Sequence, residues 1–325
     1  MLKVAEQKVY NDTFIELVKS GNTKEAAVSA QQFTRNKLRE ESFAEKILTP
    51  IDISNDELDK AEDTELLVKW NDREPDTAPA VNVPLGVVPD GIQFKGSRYP
   101  SYFSRLVSPL YSKDIDKLRS YDYDIRSILL ELSTKEMAVA LDSKFIGKVN
   151  SVVGATPGSL LNTATGANAY TGMAQYWEYS GGLNRNNLVL AVQQMLRQKT
   201  PFGPLQPDSG QSKGVMLMNN VTGAEFLKWE RSEVGGDLAQ RQYEEGVPSQ
   251  KILGLNTIFT IKYDLVPDGV VYFFSSEEFL GKYYRLQPLT VYMENKAYFL
   301  QFFQYMNVSM AFGNCRGFMK AKFTA

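Results

Sequence analysis

The chain has 325 residues, 43% of them hydrophobic and 12% aromatic, with a formal net charge of −2. That is enough apolar material for one large core or two, which excludes wholesale disorder, and the near-neutral balance excludes an overall basic field for gripping nucleic acid or a polybasic membrane anchor. Histidine is absent and cysteine occurs once, as Cys315, which removes the Ser-His-Asp triad, imidazole metal ligation, an intrachain disulfide and a cysteine zinc cluster.

The first segment, residues 1–76, carries 11 basic and 17 acidic residues. It reads as an arm, thin and polar, that needs a partner to become ordered. Helical pieces are expected in TFIELVKS and in TKEAAVSAQQFTRNKLREESFAEKIL, where Ala27, Ala30, Phe33, Leu38 and Ile47 form a loose stripe. Ser54 and Glu57 have capping-box spacing. The start lacks the apolar stretch of a signal peptide, so synthesis in the cytoplasm is expected. Pro75, Pro79, Pro84 and Pro89 then impose an extended course.

Residues 92–117 mix aromatics with basic residues and read as a two-stranded excursion. Lys95, Arg98, Tyr99, Tyr102, Phe103 and Arg105 are the candidate contact residues. A single-strand nucleic-acid platform would use the same residue types. Asp114 and Asp116 dilute the field there, and a protein–protein contact, in which aromatics and arginine are enriched, is the preferred reading.

The stretch SYDYDIRSILLELSTKEMAVALDSKFIGKVN, residues 120–150, predicts one long helix. Asp122 and Asp124 suit its N-terminus. Ile125, Ile128, Leu129 and Leu132 begin a stripe that Ala138, Leu141, Phe145 and Val149 continue, with Lys135 and Glu136 interrupting it midway. From 122 to 150 the helix would be about 43 Å long, a spine laid across a sheet. GATPGSLLNTATGANAYTG follows as a loop without the Gly-Lys-Ser/Thr of a phosphate site.

From residue 184 a compact α/β unit is expected. NRNNLVLAVQQMLRQ is an amphipathic helix with Leu188, Val192, Met195 and Leu196 inward, and GVMLMN is a buried strand. Thr222 and Glu225 have capping-box spacing, a turn is expected at Val266–Gly269, and Ser275 and Ser276 precede a short helix. In KAYFLQFFQYMNVSMAFGN, Tyr298, Leu300, Phe302, Gln304, Met306, Val308, Met310 and Phe312 alternate with Phe299, Gln301, Phe303, Tyr305, Asn307, Ser309 and Ala311. This predicts a strand of about 50 Å that lies against the long helix. Paired acids such as Asp114/Asp116 and Glu277/Glu278 fit turns and helix starts and lack the calcium-loop pattern. No catalytic residue, cofactor or metal site is expected.

In this order of parts the chain resembles the major capsid proteins of tailed bacteriophages, of the Hong Kong 97 type or Johnson fold. RYPSYFSRLVSPLYSKDIDKLRSYDYDIRSILLE is similar to the extended loop running into the spine helix. GVMLMNNVTGAEFLKW with KILGLNTIFTIKYDLVPDGVVYFFSSEEFLGKYYRL is similar to the axial domain, and LTVYMENKAYFLQFFQYMNVSMAFGNCRGFMKAKF to the long peripheral strands. The resemblance implies an α+β fold with an N-terminal arm at 1–76, an extended β-hairpin loop at 77–121, and a spine helix with peripheral domain at 122–183. An axial α/β domain at 184–288 and return strands to the peripheral domain at 289–325 complete it. It further implies a non-enzymatic homo-oligomer whose hexamers and pentamers form an icosahedral virion shell. Such a shell encloses double-stranded DNA without sequence-specific binding and without a membrane, and its partners are portal, scaffolding or cement proteins. An encapsulin-type nanocompartment shell and a carboxylate-dependent enzyme such as a glycosidase are the alternatives. Deleting residues 1–76 is expected to leave a soluble fold that forms no regular shell.

Overall fold

The computed structural model describes residues 42–61, 63, 65–73, 82, 91, 96–114, 125–154, 175–196, 214–229, 251–252 and 255–324. The helical pieces expected before residue 41, the Asp122/Asp124 cap, the glycine-rich loop and Lys95 lie outside them.

In chain order, α1 (Ala44–Ile47) and β1 (Pro50–Asp52) precede a hairpin of β2 (Val68–Arg73) and β3 (Ser97–Tyr102). β4 (Ser104–Val107), β5 (Tyr111–Asp114) and the long helix α2 (Ile125–Val153) follow. Then come β6 (Tyr176–Ser180), α3 (Arg185–Leu196), β7 (Val215–Asn219), α4 (Asn220–Ala224), β8 (Lys251–Ile252), β9 (Leu255–Thr260) and β10 (Val270–Phe274). After α5 (Glu277–Leu280) the chain ends in β11 (Gly281–Lys296), β12 (Phe299–Phe312) and β13 (Phe318–Thr324).

Two larger sheets result. One has six strands in the order β6-β13-β10-β7-β9-β8. Both of its faces are covered, which explains why β7 and β10 are buried at every position rather than alternating. Val215, Leu217, Tyr272, Phe274 and Phe318 face the core shared with α2. Met216, Met218, Val271, Phe273 and Met319 face a second core under α3 and α4. The other sheet runs β1-β11-β12-β4, with β5 pairing β12 beyond β4. Its centre is the long antiparallel pair β11–β12, 16 and 14 residues.

The long helix is present and spans 29 residues. It buries Leu130, Met137, Ala138, Leu141, Phe145, Ile146, Val149 and Val153 at spacings of one, three, four and seven. Phe145 touches rings from both sheets, Phe312 at 5.6 Å and Phe274 at 5.5 Å between centroids. The helix lies on the face of β12 that carries the buried Leu300, Phe302, Gln304, Met306, Val308 and Met310, so the two long elements do pack together. Lys135 and Glu136 point outward; the polar interruption of the buried stripe is Ser133 and Thr134. Thr134 satisfies its hydroxyl on Leu130 O at 2.7 Å, while Leu132 is exposed rather than part of the stripe.

Three further expectations are corrected. Residues 42–52 are no partner-dependent arm. Phe43, Ala44, Ile47 and Leu48 belong to the main core, and β1 pairs in parallel with Tyr283–Arg285. Deleting 1–76 would therefore strip the core instead of leaving a soluble fold. Second, the cap of α4 is Asn219, whose Oδ1 accepts from Thr222 N at 2.6 Å. Thr222 Oγ1 serves Gly269 N, and Glu225 accepts from Leu183 N. Third, residues 97–107 do not pair with each other as a self-contained excursion. β3 pairs with β2, and β4 joins the long sheet. The terminal strands also part company, since β12 serves the long sheet and β13 sits between β6 and β10.

Two buried polar nodes hold residues 42–52 in place. Asp142 on α2 is 0% exposed. It accepts from Ser42 Oγ at 2.7 Å, Ala44 N at 3.0 Å and Lys262 Nζ at 2.5 Å. Arg285 holds Asp52 through two bonds of 2.5 and 2.9 Å and approaches Glu45 at 3.9 Å. The hydrogen bonds to Asp52 hold the Arg285 guanidinium even more firmly protonated than usual. Asp142→Ala leaves a mostly buried ammonium and two further donors, Ser42 Oγ and Ala44 N, without their acceptor. It should cost about 3–5 kcal/mol in urea unfolding and expose residues 42–52 to hydrogen exchange. A loss below about 1 kcal/mol, the scale of a surface pair, would show that apolar packing alone seats this segment.

Candidate subunit interface

The β2–β3 hairpin is a separate two-stranded sheet attached along one flank of the body. Asn71 ties it together and ties it down. Its Nδ2 donates to Ser101 Oγ at 2.6 Å, and its Oδ1 accepts from Tyr284 O–H at 2.5 Å. Tyr99 lies on Gly313, where an added Cβ would sit 2.7 Å from the ring, so the glycine is needed for close approach. Arg98 and Asp72 form a 2.7 Å pair whose side chains are 69% and 79% exposed. Such a pair contributes little to stability and leaves both charges available to another surface.

The five described candidates divide by environment. Arg98 and Tyr102 are exposed on β3. Tyr99 is half-buried, and burial raises its hydroxyl pKa. Phe103 is the joint between β3 and β4, with its N–H on Leu67 O at 3.0 Å. Arg105 on β4 donates to Asn307 Oδ1 at 3.0 Å and lies 5.4 Å over the Tyr305 ring. Lys95 lies outside the described residues.

A second surface was not singled out from sequence. Opposite the helix, the long sheet displays Phe299, Phe303 and Tyr305 of β12 beside Tyr292 of β11 and Val107 of β4. Tyr292 and Phe303 are cross-strand partners with ring centroids 5.1 Å apart, and Phe303 meets Tyr305 at 5.9 Å. Val107 is 53% exposed, and Tyr298, in the turn joining the two strands, 75%. That turn holds Ala297 at φ 56°, a left-handed conformation that costs an alanine about 1–2 kcal/mol. The odd positions of the β12 alternation were the signal. Periodicity separates two faces, but it does not say that the aromatic one is left open.

Lys144 and Lys148 of α2 reach the flank between β12 and β3. Lys144 Nζ donates to Val308 O at 3.2 Å and to Ser104 Oγ, and Lys148 Nζ donates to Met310 O. Among the described residues no cluster of three metal-ligating side chains occurs, and no described helix is long and apolar enough to cross a membrane.

No protein-family model and no curated protein matches the chain. Solved structures do. A capsid chain of the cyanophage P-SCSP1u is similar at a TM-score of 0.58 and 10% identity, covering 87% of this chain and 88% of that one. A mature-capsid chain of bacteriophage PhiM1 is similar at 0.57 and 9% identity, covering 87% of each. A chain of a virus-like particle from Pyrococcus furiosus is similar at 0.52 and 12% identity, covering 92% of this chain and 100% of that one. The protein therefore has the α+β fold of phage capsid chains over most of its length.

Burial, and then the neighbouring charge of Lys148, lowers the Lys144 pKa to about 8 from 10.5. Between those values the unfolded chain holds a proton that the folded chain has released, so stability should rise with pH from about 8 towards 10. Urea midpoints across this range should show less of that rise in Lys144→Met than in the unaltered chain. Equal slopes would mean that the Lys144 ammonium is fully solvated.

Proposed function

We propose that the protein is the major capsid protein of a tailed bacteriophage. Its copies would assemble as hexamers and pentamers into an icosahedral virion shell around double-stranded DNA. The observation that carries this reading is the likeness to capsid chains across 87% of the sequence. In this reading β2–β3 and its connection form the extended loop. The long sheet with α2 is the peripheral part, and the six-stranded sheet is the axial part. Residues 42–52 would then belong to the body and not to the arm, since Phe43, Ala44, Ile47 and Leu48 contribute to the core.

The surface chemistry supports the reading. A slender hairpin with exposed charges and an open aromatic sheet face are surfaces that one copy leaves uncovered and that heterologous contacts between copies can bury. A net charge of −2 suits a container that encloses DNA without clamping it. Catalysis has no part in this role. Portal, scaffolding or cement proteins would be the partners. The match to the Pyrococcus furiosus virus-like particle favours a second reading, a shell around something other than a genome. Nuclease-resistant DNA inside purified particles separates the two.

Val107→Asp and Tyr298→Asp place a charge on the open face and at the hairpin tip, both exposed, so folding should survive. The unaltered chain should sediment as large particles in a sucrose gradient. The double variant should stay slow at an unchanged thermal midpoint. A variant that forms particles as readily as the parent would exclude these surfaces from the contacts.

A further inference from the structure

Ser104 to Val107 pair with Val308 to Tyr305, and Ser108 N–H donates to Gln304 O at 2.8 Å. Each of these pairs obeys one register, in which the residue numbers rise on one strand as they fall on the other. Continued through the joint at Phe103, that register sets Tyr102 opposite Met310, Pro100 opposite Phe312 and Tyr99 opposite Gly313. The Tyr99 ring does lie on Gly313. β3 is thus aligned with the β12 edge, yet the ladder stops at Ser104–Val308 and β3 pairs only with β2.

Alternation shows which amides face that edge. Phe103 N–H is bonded to Leu67 O, in register with the β2–β3 ladder, so the odd residues of β3 serve β2. The even residues, Tyr102 and Pro100, turn towards β12. Pro100 has no N–H to give. Met310 O, the acceptor that Tyr102 N–H would meet, takes its hydrogen bond from Lys148 Nζ. Val308 O accepts from Lys144 Nζ as well, but Ser104 of β4 pairs there all the same, so Met310 O is the carbonyl at which the ladder bond is missing.

We propose that Lys148 is a wedge. By occupying Met310 O, with Pro100 withholding a donor, it keeps the β2–β3 hairpin from zipping into the long sheet and leaves it joined to the body through Phe103 and the side chains of Asn71 and Tyr99. The Lys148 ammonium loses hydration there, since burial lowers its pKa. This role does not depend on the shell reading. Within that reading, it leaves the hairpin as a separate two-stranded unit that neighbours can contact.

Hydrogen exchange on the full-length chain tests this. In Lys148→Met/Pro100→Thr, which frees Met310 O and restores a donor, amide exchange across residues 98–103 should slow about tenfold or more. Lys148→Arg keeps a donor on Met310 O and should exchange like the parent. If the double variant misfolds, Lys148→Met alone carries the test, through slowing at Tyr102. Unchanged or faster exchange at 98–103 in a folded Lys148→Met chain would overturn the proposal. So would a Lys148→Arg chain that slows as much as the double variant.

Discussion

Asp142 is a full carboxylate in the middle of the buried stripe of the long helix, and the geometry around it depends on how it is satisfied. An ionised group taken out of water is tolerated only with several donors around it. Here they come from two distant parts of the chain, Ser42 with the amide of Ala44, and Lys262 after β9, while the helix carries the carboxylate. The same Lys262 ammonium sits 5.4 Å over the Phe43 ring. With Ser42–Ala44 fixed there, the next eight residues run along α1 into β1, where Asp52 meets Arg285 and the strand closes part of the β11 edge. One charge thereby joins the start of the described chain, the helix and the six-stranded sheet.

The helix then acts as a beam between two sheets, with Phe145 as the side chain common to both. Its packing is uneven along its length. Beyond Asp142, Phe145 packs with Phe274 and Phe312, whereas in the N-terminal half Leu130 O accepts from both Thr134 Oγ1 and Gln304 Nε2 of β12. At the end of β4 and just beyond it, Lys144 and Lys148 add bonds to Val308 O and Met310 O. Rigidity is therefore concentrated where the two sheets meet, and the parts that project from it, the β2–β3 hairpin and the β11–β12 tip, are held by fewer contacts. This distribution suits a subunit whose body is constant and whose outer contacts adapt to neighbours.

The long helix and β12 were legible because their periods are clean. Leu141, Phe145 and Val149 repeat at four, and Leu300 to Met310 alternate at two. β7 was legible as a short buried run, GVMLMN. The partners of β2 and β3 were not. VKWNDR lies in a charged stretch, and its pairing with SRYPSY is set by contacts with Tyr284 and Gly313 that are remote in sequence. Residues 42–52 looked too polar for a core because Glu45, Asp52 and Ser42 are polar, and their partners Arg285 and Asp142 are far along the chain. A trace was present. Asp142 falls on the apolar stripe beside Leu141 and Phe145, where an unpaired carboxylate would be costly. Of the contact candidates, charge and aromatic content identified the right strand but not the orientation of each residue. Tyr99 turns inward and Arg98 outward because alternation in a strand is fixed only once its partner is known.

The central claim, that this fold serves as the unit of a closed shell, is tested most directly by cryo-electron microscopy of the purified full-length chain after expression with and without its genomic neighbours. The account predicts particles with a wall one subunit thick, made of rings of six and five. The exposed side of α2 and the aromatic face of the long sheet would lie on opposite surfaces of each subunit. A chain that stays monomeric in every condition, with no closed or ring-like assembly, would contradict it.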